Sequence, residues 1–230
     1  MKNICSSSTN LHKGVLVSKK TKHSGNVILD KLMKEHTIIL GGEINHQSVE
    51  EVMQRLIRLQ MQSGDRRINL IINSNGGCTN SALYLCDFMT SMITATVRGI
   101  VLGVCGSAAT FPLLCCDERV GTPHSRFLIH SGTRGNIRIP INETTTEHLE
   151  QLLRETQSSQ EKTKRFYMRL LTPPEWDDST TDEERREFVK NIIARGDQQF
   201  DDWMSAEEAV KIGLIQHVTF DNLDIFSNSN

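Results

Sequence analysis

Residues 99–116 carry no formal charge, and no other stretch of this chain so narrows the folds open to it. The run is just long enough to cross a bilayer. It also contains Gly99, Gly103, Gly106, Ser107, Thr110 and Pro112, which interrupt a continuous helix. The segment therefore reads as two short buried elements joined by a turn, a strand within Ala95–Val104 and a helix beginning within Ala108–Cys116. Ile68–Ile72 is a second strand that is apolar almost throughout, as expected of a parallel strand covered on both faces.

Other periodic segments alternate with these two. Thr37–Leu40 is a short β-rich run, followed by a helix in which Val49, Val52, Met53, Leu56 and Ile57 share a face. Ser48 and Glu51 have the spacing of a capping box for that helix. After a turn expected at Asn73–Gly77, residues Ala82, Leu85, Cys86, Met89 and Ile93 mark another amphipathic helix. Val120 and Arg126–Ile129 suggest short strands, and Thr146–Leu171 is long and weakly periodic. A small helix opened by Ser205 and Glu208 precedes a strand at Leu214–Val218. Strand–helix–strand alternation with short connections predicts an α/β domain with a mainly parallel sheet and right-handed crossovers.

The charge balance excludes several functions. Twenty-six basic and 28 acidic side chains leave a net charge of −2 with histidine neutral, unlike a strongly basic nucleic-acid binder. With eight Phe, two Tyr and two Trp, a base-stacking platform is poorly supplied. No nucleic-acid or membrane partner is expected. The six cysteines contain no C-x-x-C pair and read as buried, reduced packing thiols, which points to the cytoplasm. No histidine or cysteine spacing suggests a metal site. Met1–Asn26, rich in Ser, Lys and Asn, reads as a mobile arm or removable leader.

Four local features carry chemistry. In Cys105-Gly106-Ser107-Ala108-Ala109, a small-residue turn sets the Ser107 hydroxyl at the carboxyl end of a strand, where open α/β sheets gather reactive groups. The amide of Ala108 then opens a helix, pointing where an oxyanion develops. The flanking glycines of the G-x-S-x-G elbow are absent, and a serine among small residues is also a common packing residue. Gly76-Gly77 lets backbone approach a ligand and offers a second N–H, although a simple turn explains the pair equally well. His130 ends the apolar run Phe127-Leu128-Ile129 as a candidate general base, although a histidine at a strand end is more often structural. Asp201-Asp202 supplies a carboxylate to orient it, or a solvated turn before a helix.

Taken in order, these residues resemble a known family. Met33-Lys34-Glu35-His36-Thr37-Ile38-Ile39-Leu40, Ile72-Asn73-Ser74-Asn75-Gly76-Gly77, Gly106-Ser107-Ala108-Ala109, His124-Ser125-Arg126-Phe127-Leu128-Ile129-His130 and Trp203-Met204-Ser205-Ala206-Glu207-Glu208-Ala209 resemble the proteolytic subunit of the Clp ATP-dependent protease. The resemblance is patchy but ordered, from about Asn26 to Val218. It implies an α/β, ClpP/crotonase-like fold with repeated β-α-β units and a protruding handle helix. It also implies a serine endopeptidase with Ser107, His130 and Asp201 as triad and the Gly77 and Ala108 amides as oxyanion hole. The family's aspartate stands four residues before the motif serine, so Ser205 selects Asp201 over Asp202. Family members form seven-membered rings, stack two rings through the handle, and receive unfolded chains from a ring ATPase of the AAA+ Clp type. ATP belongs to that partner, and no cofactor is expected in this subunit: the G-x-x-x-x-G-K-[ST] loop is absent from the chain.

The resemblance divides the chain into an arm at 1–26, a peptidase domain at 27–220 and a tail at 221–230. Within the domain, a handle region is expected at about 131–171 and an unusually long loop at about 172–198. Several positions depart from the family's pattern. Asn75 replaces a usual proline, Ala108 a usual methionine, and Phe200 an arginine that pairs across rings, while Ser131–Glu143 lacks the expected Gly-Gly and Gln motifs. The alternative reading is a catalytically weak or inactive structural subunit of a mixed ring. A crotonase-type enzyme acting on acyl-CoA would share the fold and oxyanion hole without needing the triad.

Overall fold

The computed structural model describes residues 27–63, 66–132, 146–198, 202–219 and 223. In chain order these begin with α1 (Val27–Lys34), β1 (Thr37–Ile44), α2 (His46–Ser63), β2 (Ile68–Gly77), α3 (Thr79–Met92) and β3 (Val97–Gly106). A 3-10 turn at Ser107–Ala109 leads into α4 (Thr110–Leu114), then β4 (Glu118–Gly121) and β5 (Arg126–Leu128). The rest is α5 (Thr146–Leu170), α6 (Asp182–Gln198), α7 (Ala206–Lys211) and β6 (His217–Val218). The strands pair in parallel in the order β1-β2-β3-β4-β6, with β5 also on β3. Residues 99–116 are thus strand, turn and short helix. Among the described residues no helix is long and apolar enough to cross a membrane.

The two-residue alternation of a strand explains the continuous apolar runs. Ile68, Leu70 and Ile72 enter the main core with Val97, Val101, Leu56 and Leu85. Ile71 and Ile100 point the other way, into a small second cluster with Ile39, Leu102 and Leu223. Each fully buried Ile or Leu contributes about 1.5–3 kcal/mol, so both faces of the central strands stabilise the sheet.

One flank of β3 serves two strands. Arg98–Val101 pairs with β4, while Val104–Gly106 pairs with β5. At the changeover sits the buried Ser125, whose hydroxyl donates to the Val101 carbonyl at 2.7 Å and accepts from Thr122 N at 3.0 Å. That link ties the β4–β5 turn to the middle of β3, and so aims β5 along the upper half of that strand.

Several local expectations are corrected. The cap of α2 is Asn45 rather than Ser48: Asn45 Oδ1 accepts from Ser48 N and Ser48 Oγ from Asn45 N, both at 3.0 Å. The reciprocal pair simply falls one turn earlier, with Ser48 in the place proposed for Glu51. Asn73–Gly77 is not a turn but the end of β2, because the Asn73 side chain accepts from Val104 N at 3.2 Å and carries the ladder past a register shift. The stretch 172–198, expected as a loop, is irregular only to Thr181. From Asp182 it is the helix α6, anchored by the buried Val189, Ile193 and Gly196. Cys86, Cys105 and Cys116 are buried as expected, but Cys78 is exposed at the start of α3. Met1–Asn26, most of the 221–230 tail and the 133–145 part of the handle region lie outside the described residues.

Candidate active site

Ser107 stands at the carboxyl end of β3 with φ 51°, one of two non-glycine residues with positive φ among those described. Such a backbone costs on the order of 1 kcal/mol and persists only where the surroundings enforce it. Two contacts do so here. The Thr110 hydroxyl donates to the Ser107 carbonyl at 2.7 Å, and the Thr110 oxygen lies 2.8 Å from the hydroxyl of the buried Tyr167 on α5. With the Thr110 hydrogen committed to Ser107, the Tyr167 hydroxyl is the donor.

Against the other side of the turn lies Gly76, at φ +106°. A Cβ there would sit 2.7 Å from both the Gly106 carbonyl oxygen and Ser107 Cβ, and 3.0 Å from Ala108 N. The Gly76-Gly77 backbone therefore passes in contact with the turn, which brings the segments bearing the Gly77 and Ala108 amides side by side. A glycine is required for both reasons, the conformation and the space.

His130 reaches the same edge through the register of β5. Gly106 pairs with Leu128, so Ser107 is one residue and His130 two residues beyond the last paired position of neighbouring parallel strands. Such strands run about 4.8 Å apart. The His130 side chain is 10 % exposed. Burial holds its imidazole below the ordinary histidine value, while the charge of Asp197 pulls in the opposite direction. Asp197 Oδ1 lies 4.0 Å from Nδ1 and accepts from both Ser131 N at 2.9 Å and Ser131 Oγ at 3.0 Å. Gly132 N donates to Nδ1 at 3.2 Å.

Of the acidic pair, Asp201 lies outside the described residues, as does Phe200. Asp202 is engaged elsewhere: Arg195 holds its two oxygens at 2.6 and 2.9 Å and reaches Glu208 at 3.0 Å. The guanidinium keeps the Asp202 carboxyl below the usual range. Met204 bridges Phe127 in antiparallel fashion, with Phe127 N to Met204 O at 3.0 Å and Met204 N to Phe127 O at 2.8 Å. Trp203 packs its ring against Gly106, where a Cβ would meet Trp203 Cη2 at 2.7 Å.

A groove of about 490 Å³ lies between the start of α3 and α5, lined by Thr79, Asn80, Leu83, Arg154, Ser158 and Lys162 among others. A smaller space of about 120 Å³ continues it past Ser131 and Gly132. The strand edge thus brings together a serine on a strained backbone, a largely buried imidazole and the Gly76-Gly77 backbone in contact with the serine turn, which is what nucleophilic attack on a carbonyl requires. Sequence reasoning missed Thr110, Tyr167 and Asp197. The first two announce themselves only as a polar residue in an apolar run and a tyrosine on a polar helix.

Comparison with known proteins agrees with the geometry. The family model described as Clp protease matches residues 19–222. The chain is also 29 % identical over 213 residues to the ATP-dependent Clp protease proteolytic subunit 2 of Treponema denticola, covering 90 % of this chain and 94 % of that one. With the family model spanning most of its length and the parallel α/β sheet in place, the chain belongs to the Clp protease family as a divergent proteolytic subunit of the ClpP type.

Proposed function

We propose that the protein is a serine endopeptidase subunit that hydrolyses peptide bonds in unfolded polypeptides. Ser107 attacks the scissile carbonyl, and His130 takes its proton and returns it to the leaving amine. Asp201 orients the imidazole, and the amides of Gly77 and Ala108 stabilise the oxyanion. The observation that carries this reading is the β3–β5 register, which sets a strained serine and a largely buried histidine at adjacent strand ends. Support for Asp201 comes from the Phe127–Met204 bridge: Asp201 precedes Met204 by the same three positions by which His130 follows Phe127.

The subunit works within a seven-membered ring, with α5 available to interleave a second ring and enclose the sites. Unfolded chains arrive through an AAA+ Clp-type ATPase, which supplies the ATP-driven step. Labelling with a serine-directed fluorophosphonate tests the chemistry. Wild-type protein should be labelled and Ser107→Ala should not, with a loss of about 10³-fold or more in peptide turnover.

A second reading, a weak or inactive structural subunit of a mixed ring, draws on one contact. Gly132 N donates to His130 Nδ1, which assigns the imidazole proton to Nε2, whereas a general base toward Ser107 needs Nε2 bare. The same labelling separates the two, since an inactive subunit leaves Ser107 unmodified.

A further inference from the structure

The C-terminal turn of α6 is pressed against the strand end that carries the histidine. At Gly196 an added Cβ would lie 2.0 Å from the Ile129 carbonyl oxygen and 3.2 Å from His130 Cβ. Glycine inside a helix lowers its stability by about 1 kcal/mol relative to alanine, and here it admits the close approach. The next residue is Asp197. One of its oxygens receives both the amide and the hydroxyl of Ser131, the residue that follows the histidine, and stands 4.0 Å from the ring nitrogen.

We infer that Asp197 is a positioning residue for His130, clamping the chain just beyond the ring and presenting a carboxylate to its Nδ1 side. The inference rests on the peptidase reading for its effect on turnover, but its structural content stands apart from Asp201. Neighbouring elements leave the electrostatic role to α6. Thr79 of α3 and Thr156, Ser159, Gln160 and Thr163 of α5 surround Ser131 and Gly132 and carry no charge. Arg195, two residues before Asp197, is committed to Asp202 and Glu208. A carboxylate near a largely buried imidazole favours its charged form and so opposes desolvation. Asp197 therefore does two separable things: an acceptor atom fixes Ser131, and a negative charge sustains the basicity of the ring.

The test uses the full chain with its histidine rings isotopically labelled, His130 being identified by the His130→Gln variant. Asp197→Asn keeps an acceptor for Ser131 and removes the charge, whereas Asp197→Glu keeps the charge. The ring of His130 should titrate at lower pH in Asp197→Asn, and the acidic limb of kcat/KM should move down with it. Turnover at neutral pH should fall about 10- to 100-fold, as for a slightly misplaced catalytic group. Asp197→Glu should restore the midpoint. An unchanged ring midpoint in Asp197→Asn overturns the inference, whatever happens to turnover, because a merely structural loss of active protein moves no midpoint. Equal hydrolysis by wild type and Ser107→Ala instead overturns the peptidase reading, and the ring titration still decides the role of Asp197.

Discussion

The Tyr167 hydroxyl lies 2.8 Å from Thr110 Oγ1, across 57 positions of sequence, and so connects α5 to the turn that holds Ser107. Burial pushes the phenol well above its ordinary value, so it remains a donor at every working pH. A helix otherwise rich in exposed polar side chains thus buries two residues with hydroxyls, Thr163 and Tyr167, and the second hydroxyl is spent on the back of the candidate nucleophile. Phe111 and Phe166 pack around the same ring, with centroids 5.4 and 6.2 Å away.

Tyr167→Phe keeps this packing and deletes the hydroxyl. The lost hydrogen bond should cost about 1 kcal/mol of stability. Peptide turnover should fall more than binding, since Ser107 alone is loosened. Thermal melts and separate kcat and KM values check this; a change confined to KM would place the effect in the groove rather than at the turn.

Gly76→Ala should be far more harmful than its size suggests. The new methyl would press on Gly106 O and Ser107 Cβ at 2.7 Å, from a backbone at φ +106°. Strain of this type costs about 1–3 kcal/mol, and relief requires the turn to move. Fluorophosphonate labelling of a still-folded variant should be slowed about 10²-fold or more. Wild-type labelling would show that the two backbones are not mutually locked.

Asp201→Asn and Asp202→Asn should diverge. An amide at Asp201 favours the wrong imidazole tautomer and should reduce kcat by about 10⁴-fold. Asp202 instead loses a solvent-screened pairing with Arg195, with little effect on rate. The larger loss at Asp202 would mean that the assignment is one residue out of register.

The pH dependence follows from the buried histidines. In the proposed role of general base His130 must be neutral, and burial lowers its folded value below 6.5. Turnover of a neutral peptide should therefore persist somewhat below pH 6.5 before falling. Stability runs in the same direction. His36 is also buried and also lowered, chiefly by desolvation. Below 6.5 the unfolded chain binds protons that the folded chain refuses, so stability declines as pH drops from 6.5 toward the folded values. Urea midpoints at about pH 5.5 and pH 7.5 should differ in that sense, and His36→Gln should reduce the difference.

Strand ends were the legible part of this site. Apolar runs stop abruptly at Gly106-Ser107 and Ile129-His130, and a parallel sheet collects such stops on one edge. Helix α6 was hidden because only Val189, Ile193 and Gly196 of its residues are buried, too few for a clear stripe, and Pro173-Pro174 just before it suggest a loop. Ser125 and Tyr167 were invisible for another reason. Their partners, Val101 and Thr110, are 24 and 57 positions away, and no local spacing encodes a tertiary hydrogen bond. Asp197 resembles any acid at a helix end until Gly196 is seen to let the helix close on Ile129. The capping slip at α2 was a matter of one turn, since Asn45 and Ser48 are both good caps.

β5 has three residues, braced by β3 on one side and by Met204 on the other. The inner brace is in hand soon after the strand itself is made, but the outer one comes from a residue 77 positions later. During vectorial synthesis the hydroxyl of Ser107 exists long before the strand bearing His130 is held from both sides. A stalled or clipped chain ending before Met204 retains Ser107 and His130 yet lacks the outer clasp on the strand that leads to His130.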